Sequence, residues 1–189
     1  SMWVKNAGVE NKDLWCCGAA ELRFSVFSNK KFGLIPDGDP NSAQSLYADG
    51  TALDPSAWYR IYIGRRSDNS FRMVINGHLA SNKVNNGKLL SGDMTIGSFS
   101  KGTSYFFSGY IADFYIVDGQ ELDENTFGRY NSKGVWVPVD PKKDGDTAWF
   151  GPEGRHLTFA DSSDVGKDYS GNDNHHTVTG FELADTSSP

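Results

Sequence analysis

No apolar run in these 189 residues approaches the ~20 that a bilayer-spanning helix needs. No membrane span is expected, and no leader segment is visible. Cationic charge is in deficit: 18 Lys and Arg stand against 24 Asp and Glu, a net charge of −6. That argues against nucleic acid as a partner, since such binding is dominated by cationic contacts to phosphate. Arg65-Arg66 and Lys30-Lys31 are isolated pairs and form no stripe. Cysteine is nearly absent, with Cys16 and Cys17 the only two. Adjacent strand residues point to opposite faces, so these two are poor partners, and two free thiols, one of them buried, are expected in place of a disulfide framework. Ala, Leu, Glu and Lys never gather at period 3.6, which leaves no room for long helices. The histidines His78, His156, His175 and His176 lie in no zinc spacing. There is no Gly-x-Ser-x-Gly elbow and no phosphate loop.

What the chain does contain is aromatic residues, at 13%, and 21 glycines. Together they favour short strands punctuated by turns. Leu22, Phe24 and Val26 alternate with Arg23 and Ser25. The run 58–63, Trp-Tyr-Arg-Ile-Tyr-Ile, is rich enough to be covered on both faces. Phe71, Met73 and Ile75 run into Asn76-Gly77, a strong hairpin signal because both residues tolerate positive φ, and Leu79 falls on the return strand. Further strand-like pieces are Met94 with Ile96, Tyr105-Phe106-Phe107, the stretch 109–116, Val135-Trp136-Val137, Trp149-Phe150 and Leu157-Thr158-Phe159. Pro138 places an edge. The pattern predicts an all-β fold, an antiparallel two-sheet jelly-roll sandwich over residues 1–160. Residues 161–189 turn to Asp, Ser, Gly and Asn and are expected as a polar C-terminal segment that packs back on the domain or remains a tail.

Jelly-roll glycosidases use alternating carboxylates in a Glu-x-Asp-x-x-Glu pattern, which places the acids on one strand face. Glu121-Leu122-Asp123 supplies the first two, but Thr126 stands in the third position, and Asp123 reads better as the N-cap of a turn carrying Phe127. Catalysis is therefore not expected. For calcium, Asp37-x-Asp39-x-Asn41 opens like an EF-hand loop but has Ser42 where glycine is needed, and reads as a plain turn. Asp161, Asp164, Asp168, Asn172, Asp173 and Asn174 offer a second oxygen set, with Gly166 and Gly171 for tight turns. Its alternative is a string of Asx turns satisfying their own backbone. Trp58, Tyr59, Trp136 and Trp149 can stack on sugars, with core burial the default for Trp58 and Tyr59, and Tyr105-Phe106-Phe107 can form an oligomer contact.

One ordered set of segments resembles a known family. It comprises Trp3-Val4-Lys5, Asp54-Pro55-Ser56-Ala57-Trp58-Tyr59, Val74-Ile75-Asn76-Gly77, Ile96-Gly97, Gly109-Tyr110-Ile111-Ala112-Asp113-Phe114, and then DGQELDENTFGRY, GVWVP and GKDYSGNDN. The set resembles the concanavalin A-like lectin/glucanase group, laminin-G-like branch, in the form found in structural proteins of tailed, often marine, bacteriophages. The resemblance implies a two-sheet jelly roll on a virion appendage or capsid surface, made in the host cytoplasm. It implies binding of a host glycan or another virion protein, a possible homo-oligomer, and calcium at a sheet edge. Relatives usually carry a strand ahead of the Trp-Val-Lys segment. Here the expectation is that the chain is a fragment lacking that strand, or that the strand comes from residues 177–181 or from a neighbouring subunit. The acidic pair usual after Ile111 is Ala112-Asp113, which weakens any metal ligand carried over from it.

Overall fold

A computed structural model describes residues 1–8, 11–18, 22–36, 38–41, 45–48, 54–84, 93–99 and 104–180. The first ten strands are β1 (Met2–Asn6), β2 (Lys12–Cys17), β3 (Leu22–Val26), β4 (Phe32–Ile35), β5 (Leu46–Tyr47), β6 (Tyr59–Arg65), β7 (Ser70–Ile75), β8 (His78–Val84), β9 (Met94–Ile96) and β10 (Gly109–Ala112). They form two five-stranded antiparallel sheets. The back sheet runs β10-β1-β6-β7-β8 and the front sheet β5-β4-β3-β2-β9. The two stack face to face, as expected of a sandwich.

Alternation on each strand builds the core between them. Leu22, Phe24 and Val26 point inward with Leu14, Phe32, Leu34 and Leu46 from the front sheet. Val4, Ile61, Phe71, Met73 and Ile75 meet them from the back sheet. Each such side chain, fully buried, stabilises the fold by about 1.5–3 kcal/mol. Asn76 and Gly77 form the predicted turn, both at positive φ (49° and 78°), and β8 returns antiparallel to β7. An alanine Cβ at Gly77 would strike the ring of Trp136, so glycine is needed there for space as well as for φ.

After β10 the chain builds a third layer. It consists of β11 (Phe114–Ile116), the 3₁₀ turn Glu124–Thr126, β12 (Gly128–Tyr130), β13 (Trp136–Pro138), α1 (Thr147–Phe150) and β14 (Arg155–Leu157). β11 pairs with β14 and β12 with β13. Phe114 and Ile116 enter the main core, whereas Tyr115 faces the other way. It joins Phe127 and Phe150 over Tyr62 and Val74 on the outer surface of the back sheet. That second apolar cluster is why β6 is buried on both faces, as its composition predicted.

The structure departs from the sequence expectations at several places, the first being 105–107, which forms only an isolated bridge at Phe106 because Tyr105 stands at φ 50°, outside the strand region. Trp149-Phe150 is helical: Asp146 caps α1 by accepting from Trp149 N, and the turn seats Phe150 in the second cluster. Both cysteines are buried, because the outer face of the front sheet is covered too: Cys17 lies in the core, and Cys16 Sγ donates to Ser98 O. Residues 177–180 are in no strand, and Phe181 lies outside the described residues. Among the described residues no helix is long and apolar enough to cross a membrane.

Candidate functional site

The outer face of the front sheet carries a polar cluster beneath exposed rings. Arg23 and Ser25 alternate outward on β3, and a bulge in β2 between Asp13 and Trp15 turns Asp13 to the same face. Asp13 is only 2% exposed. Its Oδ1 accepts from Ser25 Oγ at 2.5 Å, and its Oδ2 lies 3.8 Å from Arg23 Nη1 with no hydrogen bond among the described residues. Burial pushes the Asp13 carboxyl up, against the pull of Ser25 and Arg23. The Arg23 guanidinium lies 5.5 Å from the Phe99 ring centre, and Tyr105 meets Phe99 edge-on at 5.6 Å. The segment at 105–106 is tied to β2, with Asp13 N donating to Tyr105 O at 3.0 Å and Phe106 bridging to Asp13. Phe107 packs on the core, whereas Tyr105 and Phe106 stay 48% and 57% exposed. Tyr105 is held at φ 50°, a left-handed conformation that costs a non-glycine residue about 1–2 kcal/mol. Large flat rings left in water on this face offer apolar stacking surface to a ligand ring, above a polar cluster that is itself buried.

A second concavity opens at one end of the sandwich, where β2, β3, β6, β7 and β9 end or begin. It is an open space of about 570 Å³ that reaches from the end of the main core to the 114–122 stretch of the third layer. Trp15, Leu22, Phe71 and Met94 lie on its floor, with Arg65, Arg66 and Glu121 at the mouth. Glu121 is engaged there: it accepts from Ser67 N at 3.2 Å and lies 3.9 Å from Arg66 Nε. Asp123 caps the 3₁₀ turn by accepting from Asn125 N at 2.8 Å, as its place before Phe127 predicted. Glu124 pairs with Arg72 at 2.6 Å. The acids of the 121–124 stretch therefore serve a turn and two arginines.

The six oxygen residues of the C-terminal segment divide into two groups. Asp168 is buried and takes four hydrogen bonds, from the N–H groups of His156, Ser170 and Asn174 and from Ser170 Oγ. Burial alone would raise its carboxyl, but these donors hold it below the ordinary range. Asn172 and Asn174 each donate through Nδ2 to Gly154 O, reaching Gly151 O and Pro152 O as well. Together the three clasp the segment onto the 151–156 turn. Asp161 accepts from Ser163 N and Oγ in an Asx turn, Asp164 N donates to Asp161 O, and Asp173 is exposed, 3.8 Å from His175. Among the described residues no group of three or more His, Cys, Asp or Glu is arranged around a common point for a metal. Asp39 makes the expected turn, accepting from Asn41 N, while Asp37 and Ser42 lie outside the described residues.

Residue types alone did not mark Arg60. It is 3% exposed on the outer face of β6, with its Cζ 5.5–5.6 Å from the ring centres of Trp3, Tyr115 and Phe127. Burial lowers its pKa to about 10, opposed by the nearby Asp113. His156 stacks on Tyr115 at 3.9 Å, and its Nδ1 is 2.6 Å from Asp144 Oδ1. Of the rings singled out from the sequence, Tyr59 is in the core, Trp58 and Trp149 are half-buried, and Trp136 packs edge-on against exposed Tyr130.

Residues 1–126 match the laminin G family 3, described as concanavalin A-like lectin/glucanases superfamily. No curated protein and no solved structure matches the chain. The match takes in both sheets and ends in the 3₁₀ turn, so β12, β13, α1, β14 and the clasp lie beyond it. Two stacked antiparallel sheets with almost no helix agree with that family, and the chain belongs to the concanavalin A-like lectin/glucanase superfamily in its laminin G branch.

Proposed function

We propose that this protein is a non-catalytic module of a virion surface, on a tail or capsid appendage, that holds a host glycan on the outer face of its front sheet. The observation that carries the reading is the exposure of Tyr105 and Phe106 beside the buried Asp13–Arg23–Ser25 cluster. The superfamily supports carbohydrate as the ligand class, and the ordered motifs from DGQELDENTFGRY to GKDYSGNDN support the virion setting. Lack of catalysis is supported by the engagement of Glu121 and Asp123 in the cap and the ion pair. A glycan array probed with the wild type and with a Tyr105→Ala, Phe106→Ala double variant tests it. Binding should fall at least tenfold in the variant, since loss of stacking rings removes more than about 1.4 kcal/mol. Equal binding by both proteins would move the site elsewhere, and no binding by the wild type would sink the reading.

A second reading, assembly with other virion proteins or with copies of itself, is favoured by a different patch. Leu79, Tyr130 and Val135 are all exposed around the β7–β8 turn. Sedimentation at rising concentration tests self-association there. Calcium belongs to the same set of proposals. The acids left outside the clasp are Asp161, Asp164 and Asp173, because Asp168 already has its four donors. A rise in melting temperature with calcium that Asp164→Asn removes would support it, and an unchanged melting temperature would discard it.

A further inference from the structure

We infer that the cavity at the end of the sandwich receives the alkyl chain of an amphiphile, with an anionic head resting at Arg65 and Arg66. The site is distinct from the proposed glycan face, and the inference does not depend on that reading. The space of about 570 Å³ is several times the ~150 Å³ that suffices to bind benzene in an apolar protein cavity. Asn69, Asp118 and Gln120 line its polar side, and its apolar floor is made of Leu22, Phe71, Met94, Phe114 and the ring of Trp15. The floor side chains, the Trp15 N–H apart, have no group with which to hydrogen-bond. A sugar ring placed among them would strip its hydroxyls of water without replacing the lost bonds. A methylene chain has nothing to lose there, and each CH₂ buried is worth about fourfold in affinity.

The mouth selects the head. Arg65 lies 5.9 Å from the Phe71 ring centre and is steered by its 2.7 Å bond to Asn69 Oδ1, while its Nε has no partner among the described residues. The acid nearest these arginines, Glu121, is already held by Ser67 N and Arg66. Its charge is thus partly spent, leaving Arg65 as the donor toward an entering carboxylate or phosphate.

The test uses the full chain and the series hexanoate, octanoate and decanoate, with decanol as the uncharged control, all below their aggregation concentrations. Trp15 lines the floor, so binding is read by tryptophan fluorescence, assigned with Trp15→Phe, and by melting temperature. Affinity should rise about fourfold per methylene along the series. Decanoate should bind at least fivefold more tightly than decanol, and Arg65→Gln should erase that preference while leaving decanol binding in place. Met94→Trp, which fills the floor, should abolish binding of every chain without disturbing the far-UV spectrum. Affinity independent of chain length, binding unaltered in Met94→Trp, or no binding by any of the four would overturn the proposal. Glycan binding that persists in Met94→Trp is the expected result if the two sites are separate, and joint loss would overturn the placement of the chain in its own cavity.

Discussion

Tyr105 carries a conflict between stability and exposure. Its φ of 50° is strained for any side chain, and nearly half its surface remains in water. Glycine at this position relieves the backbone, so Tyr105→Gly should raise stability by up to about 1 kcal/mol in chemical denaturation while weakening glycan binding. A loss of stability on that substitution would mean the ring is structural. Arg60 poses the opposite case. Its guanidinium is buried among three rings, with Nε and Nη1 lacking hydrogen-bond partners among the described residues. Replacing an imperfectly satisfied buried ion by an apolar group of similar length is often neutral or favourable. Arg60→Met should therefore stay within about 1 kcal/mol of wild type or exceed it, and a drop of several kcal/mol would show that the ring cage and the attraction of Asp113 hold the guanidinium favourably. Cys17, with its thiol pushed up to about 12 mainly by burial, should resist alkylation in the native protein. Cover on both faces of the 58–63 run and burial of one thiol were legible in the sequence, but the ring cage around Arg60 and the burial of both thiols were not. Arg60 and Cys16 sit at outward positions of their strands, and alternation alone would place them in solvent.

The C-terminal clasp is an element whose energetics rest on one carboxylate. Asp168→Ala leaves three backbone N–H groups and a hydroxyl without their shared acceptor, and should cost about 3 kcal/mol. Asp161→Ala, which removes a solvated Asx turn, should leave the melting temperature nearly unchanged. The response to acid has two stages. His176 is held at about 4 by burial and by Arg155, below its ordinary 6.5, so protonation favours the unfolded chain. Its contribution is complete above 6.5 and is lost as pH falls toward 4. Asp168 is also depressed, so its contribution persists through that window and disappears only below the ordinary carboxylate range. Melting temperature against pH should show the first stage vanish in His176→Gln and the second in Asp168→Asn. The polar composition of this segment announced Asx turns, and Asp161 makes one. That Ser170, Asn172 and Asn174 would converge on Gly154 O, with Asp168 holding Ser170 and Asn174 in place, depended on a turn of the chain whose position no local spacing encodes.

At the scale of the molecule, the third layer is the feature that the two-sheet expectation did not contain. It covers Tyr62, Val74 and Arg60 with Phe127, Phe150 and Tyr115. A chain ended at residue 126, where the family match stops, keeps every strand of both sheets yet uncovers that face. It should bind a hydrophobic dye and aggregate, whereas the full chain should not. A soluble, cooperatively melting 1–126 fragment would show the layer to be dispensable. The amino-acid sequence by itself determined the all-β class, strands such as β3, β6, β7 and β10, the Asn76-Gly77 hairpin, the Asp123 cap and the family, because alternation, turn dihedrals and capping act over a few residues. The tertiary structure alone decided which polar groups lost their water and which rings kept it. Asp13, Arg60 and Asp168 are buried, and Tyr105 and Phe106 exposed, by contacts between segments far apart in the chain. Desolvation depends on everything that packs against a group, so neither the candidate glycan face nor the end cavity has a local signature.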